Sequence, residues 1–469
     1  MASSLSILDE DGNLFGAINV VDALVVLLVC AVAVAGVGLV VGTDNANTEL
    51  GTTYVTLDLG TQPSYIVSAL NEGDTYSADD ESNLTITDVH LAPGDGQTRA
   101  IVRAELRGVA DNTSFEYAGV QPQLGRQLRV STSQYNTSGS IIDVGDGNTI
   151  DRDSRTVVLR DTLPASGADD VTAGDEIRLG GRTVATVEEV AVYPTGDADR
   201  HSVFVEATLN TYTRQGDQYF GNSQLRSGQT VILPGDGYRI EGEMARVGTG
   251  MDRDTTDVLI AETVSTETAE QISVGDTATV AGYDSAEVAT VTTYATQNPD
   301  RERVFVGLTA ETLGYGEQPQ FGTTTVREGN EIRFRTDDYE LSAPIERVGT
   351  LEQSGAATNR TVTLRMTDVD EVMADTLEGG MTERAGGRTT ATVTDVTVEP
   401  AIIITTADNG SVNVVDHPYL RDVTLRTELR VRETTSGIRF KGDTIQQGST
   451  VVLDLGSVTV SAEVVTIGQ

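Results

Sequence analysis

The side chains best suited to chemistry are few in this chain of 469 residues, and they are far apart. Its three histidines, His90, His201 and His417, lie more than 100 residues from one another. They share no spacing that would build a catalytic triad or a metal centre. The single cysteine, Cys30, lies in an apolar run, which excludes a disulfide framework and a thiolate metal site. Asp74, Asp175 and Asp276 each follow a glycine about 100 residues apart, so they read as turn-capping residues rather than as acid/base partners. Asp9-Glu10-Asp11-Gly12-Asn13 lacks the later glutamate of a calcium loop and reads as a solvated turn. No serine sits in a nucleophile elbow and no glycine pattern matches a phosphate loop. The expectation is a protein that is not an enzyme, with no cofactor and no metal.

The charge balance sets the partners and the medium. With 71 acidic and 32 basic side chains the formal net charge is −39, which argues against nucleic acid, since phosphate recognition needs a basic face. The acids are scattered along the whole chain. At molar salt the screening length falls to about 3 Å, so such self-repulsion is tolerable there and costly in dilute buffer. A halophilic setting is expected, with unfolding on dialysis to low salt. Only one of the basic residues is a lysine, Lys441.

Elements that could position any site begin with the N-terminus. Ala23 to Val41 is a run of 19 residues without a polar side chain, nearly the thickness of a bilayer core as a helix. The preceding stretch has no Lys or Arg, unlike the basic start of a cleaved signal. The run therefore reads as a single-pass anchor over residues 17–42, with lipid as its partner, after a cytoplasmic tail of residues 1–16 and before a linker of residues 43–51. Gly38 and Gly42, four apart, would let two such helices approach closely. The N-terminus is placed inside and the bulk of the chain outside. Five Asn-x-Ser/Thr sequons, at Asn83, Asn112, Asn136, Asn359 and Asn409, are compatible with that side.

Beyond the anchor the chain repeats itself. Gly73, Gly174, Gly275 and Gly380 recur at steps of 101, 101 and 105 residues. Gly125, Gly228, Gly329 and Gly448 are each followed 14 residues later by a small residue and 20 later by another glycine. Turns at positive φ or close strand approach would demand glycine there. Strands with period-two alternation lie between, as in SVFVEATL from Ser202 and RVFVGLTA from Arg303. Apolar alternation around Gly180-Gly181 reads as a hairpin. Each unit has room for six or seven short strands, with helical turns near ADDVTAGD, TAEQISVGD and DEVMADTLEGG. The fold class expected is all-β: four tandem barrel or sandwich repeats of about 100 residues, over residues 52–149, 150–252, 253–353 and 354–469.

Two resemblances follow from these residues. The opening LDEDGNLFGAINVVDALVVLL, through Asp9, Gly12, Leu14, Phe15, Gly16, Asn19 and Asp22, resembles the membrane-anchored family called domain of unknown function 4330, and the repeats extend the likeness. That implies a single-pass protein of salt-loving archaea or cyanobacteria with no assigned activity. The glycine, Gly181, Ala185 and Val187 pattern of Gly174 to Val190 looks like the start of a mammalian-cell-entry (MCE) lipid-transfer domain. That family implies a homo-oligomeric ring or tube with an apolar bore, yet NSQLRSG, TTTVREG and TIQQGS are polar where its lining would stand. The leading expectation is a scaffold, adaptor or cell-envelope component, and the alternative is an MCE-like conduit for lipid or another apolar ligand. Tyr117, Phe220, Phe321 and Tyr419, after each central strand, are the candidate partner-contact residues.

Overall fold

The computed structural model describes residues 13–14, 18–19, 49–94, 96–111, 114–315, 318–406 and 412–468. Four antiparallel sheets follow one another, of seven strands in the first repeat and eight in each of the others. They span 49–145, 152–247, 253–348 and 356–467, in register with the glycine repeat. The whole apolar run from Ala23 to Val41, with Gly38 and Gly42, lies outside the described residues. Asn13–Leu14 pairs with Ile18–Asn19 as a small antiparallel ladder, so Ile18 and Asn19, within the expected 17–42 span, are extended, and the rest of that span lies outside the described residues. Among the described residues no helix is long and apolar enough to cross a membrane.

The second repeat shows the plan. Its opening strand Arg152–Pro164 lies in the middle of the sheet, between the central strand Arg200–Arg214 and the closing strand Arg239–Val247. A short helix, Ala165–Asp169, leads to Glu176–Leu179 and the long strand Arg182–Pro194, which returns through the hairpin to the central strand. The helices fall near the expected turns, and the first repeat adds one at Ser64–Ala69. Several strands run to 13 or 15 residues, longer than the short strands expected from the alternation. In the third and fourth repeats the two edge strands come alongside each other, which makes the sheets barrel-like.

The glycine spacing has a hydrogen-bonding cause. Gly73, Gly174, Gly275 and Gly380 all hold φ between +90° and +99°, and each donates its N–H to a carbonyl 13 residues on, as Gly174 does to Val187 at 2.8 Å. Gly125, Gly228, Gly329 and Gly448 hold φ of +85° to +87° and donate 16 residues on. An L side chain at these angles is strained, so the turn itself selects glycine. At Gly242 the reason is space, since a Cβ would stand 2.9 Å from that of Leu159.

The aspartates after the first glycines link the two halves of each unit. Asp74, Asp175 and Asp276 accept hydrogen bonds from Tyr135, Tyr238 and Tyr339 at 2.6, 3.0 and 2.7 Å, and from the backbone three residues before. Burial and then the aspartate raise the pKa of all three phenols. In the fourth repeat both ends of this pair change together: Met381 replaces the aspartate, Val458 replaces the tyrosine, and both pack on the apolar core.

Candidate functional site

The places where the structure concentrates unusual chemistry are the junctions between repeats. Each junction is built from the long hairpin of one unit laid over the turns of the next. Three positions on that hairpin face the following unit: His90, Ala92 and Ile101 in the first, Ala191, Tyr193 and Phe204 in the second, Thr292, Tyr294 and Phe305 in the third. Ala191, Tyr193 and Phe204 belong to the core of the third repeat, with the Tyr193 ring 5.1 Å from Phe321. Glycines permit the approach. A Cβ on Gly221 would meet the Pro93 carbonyl at 2.8 Å, and one on Gly322 would meet the Tyr193 Cβ at 2.9 Å.

A bulge in each long strand places a polar residue at the junction's edge. At the first junction this is Asp88, buried, which takes an ion pair from Arg152 and a hydrogen bond from the Ile150 N–H at 2.8 Å. His90 stands beside it, its ring 5.2 Å from Tyr212. Burial pushes His90 down to about 4, with Arg152 acting in the same direction and Asp88 against it. The second junction repeats the device, Glu189 pairing with Arg253 at 2.9 Å. At the third the equivalent positions hold Thr290 and Ala357, and no ion pair can form.

That third junction contains the lysine. Lys441 holds φ +53°, at the position occupied by Ala118, Gly221 and Gly322 in the other units. Its ammonium is buried against Glu383 and the Val452 carbonyl, 5.3 Å from the Phe440 ring and 6.0 Å from Tyr294. Glu383 also accepts from Thr390 and from the Asp454 N–H. Burial lowers the Lys441 pKa, opposed by the Glu383 carboxylate. Ammonium and carboxylate are 8% and 4% exposed, so this is a desolvated pair whose members depend on each other. Beside it a cavity of about 350 Å³ opens between the third and fourth repeats.

The structure redistributes the residues singled out in the sequence. Tyr117, Phe220 and Phe321 are buried, so they are not an outer contact face. Burial raises the Tyr117 phenol to about 12. Tyr419 is 70% exposed, but it sits within the long strand Val412–Thr434, and the fourth counterpart of Phe220 and Phe321 is Phe440. The histidines stay apart, and among the described residues no group of three or more His, Cys, Asp or Glu is arranged to hold a metal ion. Lys441 was missed as a site, although its being the only lysine, directly before Gly442, was a readable signal.

The last hairpin differs from the rest. Its junction positions are Thr397, Glu399 and Thr424, polar where the others are mostly apolar. Its strands Arg388–Thr406 and Val412–Thr434 continue past Pro400, the counterpart of the strand end Pro194. On this extension Ile402, Ile404, Val412, Val414 and Val415 are more than half exposed. Among the described residues no third strand pairs with the extension beyond Leu420.

Compared with known proteins, residues 5–98 and 344–468 match the sequence model of a family described as Domain of unknown function (DUF4330). No curated protein and no solved structure matches the chain, and the likeness to MCE domains is not among the findings.

Proposed function

We propose that this chain, both of whose ends match the model of the family Domain of unknown function (DUF4330), is a membrane-tethered scaffold of a cell envelope in concentrated salt. Its apolar N-terminal segment lies in the lipid and its four repeats stand outside the membrane. The single observation behind this reading is the packing of the first repeat into the second and of the second into the third. A chain whose domains share core residues across their boundaries, as Tyr193 and Phe204 do, behaves as one stiff body rather than as beads on linkers. Stiffness of that kind serves reach and spacing, not catalysis.

A scaffold must hold something, and the extension of the last hairpin is the part left uncovered. Two strands alone are marginal in water and need a third strand or an apolar neighbour. The occupant is a second copy of the chain, ribbon against ribbon. The leading face of the first repeat is an unsuitable partner, because Asp79, Asp80 and Glu81 are exposed in the turn where Gly180 stands in the second. A lipid surface is disfavoured too, since Glu399, Asp416 and Asp422 lie at the base of the ribbon. The exposed apolar side chains would bury on the order of 1,200 Å² across two copies, the lower bound of a specific interface.

The test is the mass of the detergent-extracted full-length chain in molar KCl by light scattering, with lipid analysis of the particle. Two chains are expected, falling to one in I404D/V414D. A two-chain particle that survives this substitution, or a single chain throughout, removes the ribbon from the reading. A closed hexamer with apolar cargo overturns the scaffold in favour of the conduit.

A further inference from the structure

The cavity at the third junction is lined by positive charge in a chain of net charge −39. Arg432 and Arg439 are direct cross-strand partners, and Arg430, two residues along, shares their face. Like charges placed opposite each other on a sheet repel. Arg432 donates to the Gln353 and Gly355 carbonyls at 2.6 and 2.9 Å and lies 4.0 Å from Glu352, itself largely exposed. The Arg430 and Arg439 side chains have no hydrogen-bond or ion-pair partner among the described residues, and the Arg439 Nε is buried without one. A buried guanidinium nitrogen with nothing to donate to is costly.

The other repeats show that the fold does not require this. The same three positions are Asn210, Tyr212 and Tyr219 in the second repeat, where the two tyrosines stack with ring centres 5.7 Å apart and fill the junction. In the third they are Glu311, Leu313 and Gln320, and Glu311 takes an ion pair from Arg253. At the third junction the carboxylate that would face an arginine is replaced by Thr290, and Lys441 stands where glycine closes the second. One carboxylate has been lost from the place where positive charge has been added, leaving the largely exposed Glu352 among the lining residues. The space left, about 350 Å³, is far more than the ~10–15 Å³ that one water needs.

We propose that this junction is a binding site for a phosphate-like oxyanion, held by Arg430, Arg432 and Arg439. The guanidinium fork matches the paired oxygens of such a group, which a monatomic anion cannot offer. Lys441 is held by Glu383 and the Val452 carbonyl, which take two of its three donors, so the arginines carry the site. A free anion and a lipid headgroup present the same oxygens to these arginines.

The experiment uses the full-length chain in detergent at fixed molar KCl, titrated with inorganic phosphate and separately with soluble dihexanoyl phosphatidylglycerol. Binding heat and the melting temperature are both read. Saturable binding of phosphate with a rising melting temperature is expected, weakened about tenfold or more in R439Q. Without phosphate R439Q should melt no lower than the unsubstituted chain, since it relieves the Arg432–Arg439 repulsion. A purely structural arginine would give the opposite result. Response to the lipid alone assigns the headgroup as the source of the oxyanion. Absence of response to both, or an undiminished response in R439Q, overturns the site.

Discussion

The second and third junctions are made from the same strands in the same register, yet one is closed and the other open. At the second, Gly322 lets Tyr193 reach Phe321, and Glu189 locks Arg253 at the rim. At the third, Lys441 takes the glycine's place, Tyr294 is only half-buried, and the rim pair has become Thr290 and Ala357. The lesson is that topology fixes where a junction lies while a handful of side chains decide whether it is core or cavity. An apolar contact was exchanged for a desolvated ion pair and a ring of arginines, which adds binding chemistry at the expense of packing.

The largest effect expected from breaking this contrast is at Glu383. E383Q leaves the Lys441 ammonium buried without a carboxylate and should destabilise the fourth repeat by about 3–5 kcal/mol, read in chemical denaturation. The paired change E383L/K441M, which removes both charges, should be neutral or stabilising. A harmless E383Q would mean that the pair does not hold this region. On the closed side, Y193A removes a side chain 2% exposed and should cost about 3 kcal/mol, whereas Y294A at the open junction should cost less than half as much. Equal losses would erase the distinction between the junctions.

The first junction carries a pH dependence of its own at His90. His90 is neutral in the fold, with its pKa lowered to about 4, while an unfolded histidine titrates near 6.5. Between those values the unfolded chain holds more protons, so stability is complete above pH 6.5 and falls as the pH drops towards 4, by on the order of 3 kcal/mol in all. Melting temperature against pH measures it, and H90Q should flatten the slope in that window. An unchanged slope would move the acid sensitivity elsewhere.

How much of this could be read from the chain depends on what each residue answers to. The repeat, its length and its β class were legible because a positive-φ turn admits little besides glycine, so Gly174 and Gly228 leave a mark that side-chain drift does not erase. Junction chemistry left no such mark. Tyr193 and Phe321 meet across a domain boundary, and nothing in their own segments says that the face they occupy is covered by another unit. The aromatic pattern was misassigned for that reason: Phe440, the true counterpart, was passed over for Tyr419, which lies on the uncovered ribbon. Arg432 and Arg439 are seven residues apart and face each other only because a hairpin turns between them.

The smallest effect concerns the bond that ties the two halves of a repeat. Tyr238 donates to Asp175 at 3.0 Å, and Asp175 keeps two further donors, from the Thr172 hydroxyl and backbone, when the phenol is lost. Y238F should therefore cost only about 1 kcal/mol. The fourth repeat provides the converse case, since Met381 and Val458 do by apolar contact what the aspartate and tyrosine do elsewhere. Introducing M381D alone places a carboxylate without a phenol at that site, and V458Y in the same chain should return most of the lost stability. If the double variant is no better than M381D, the pairing of the two positions across the repeats reflects separate packing constraints rather than one bond.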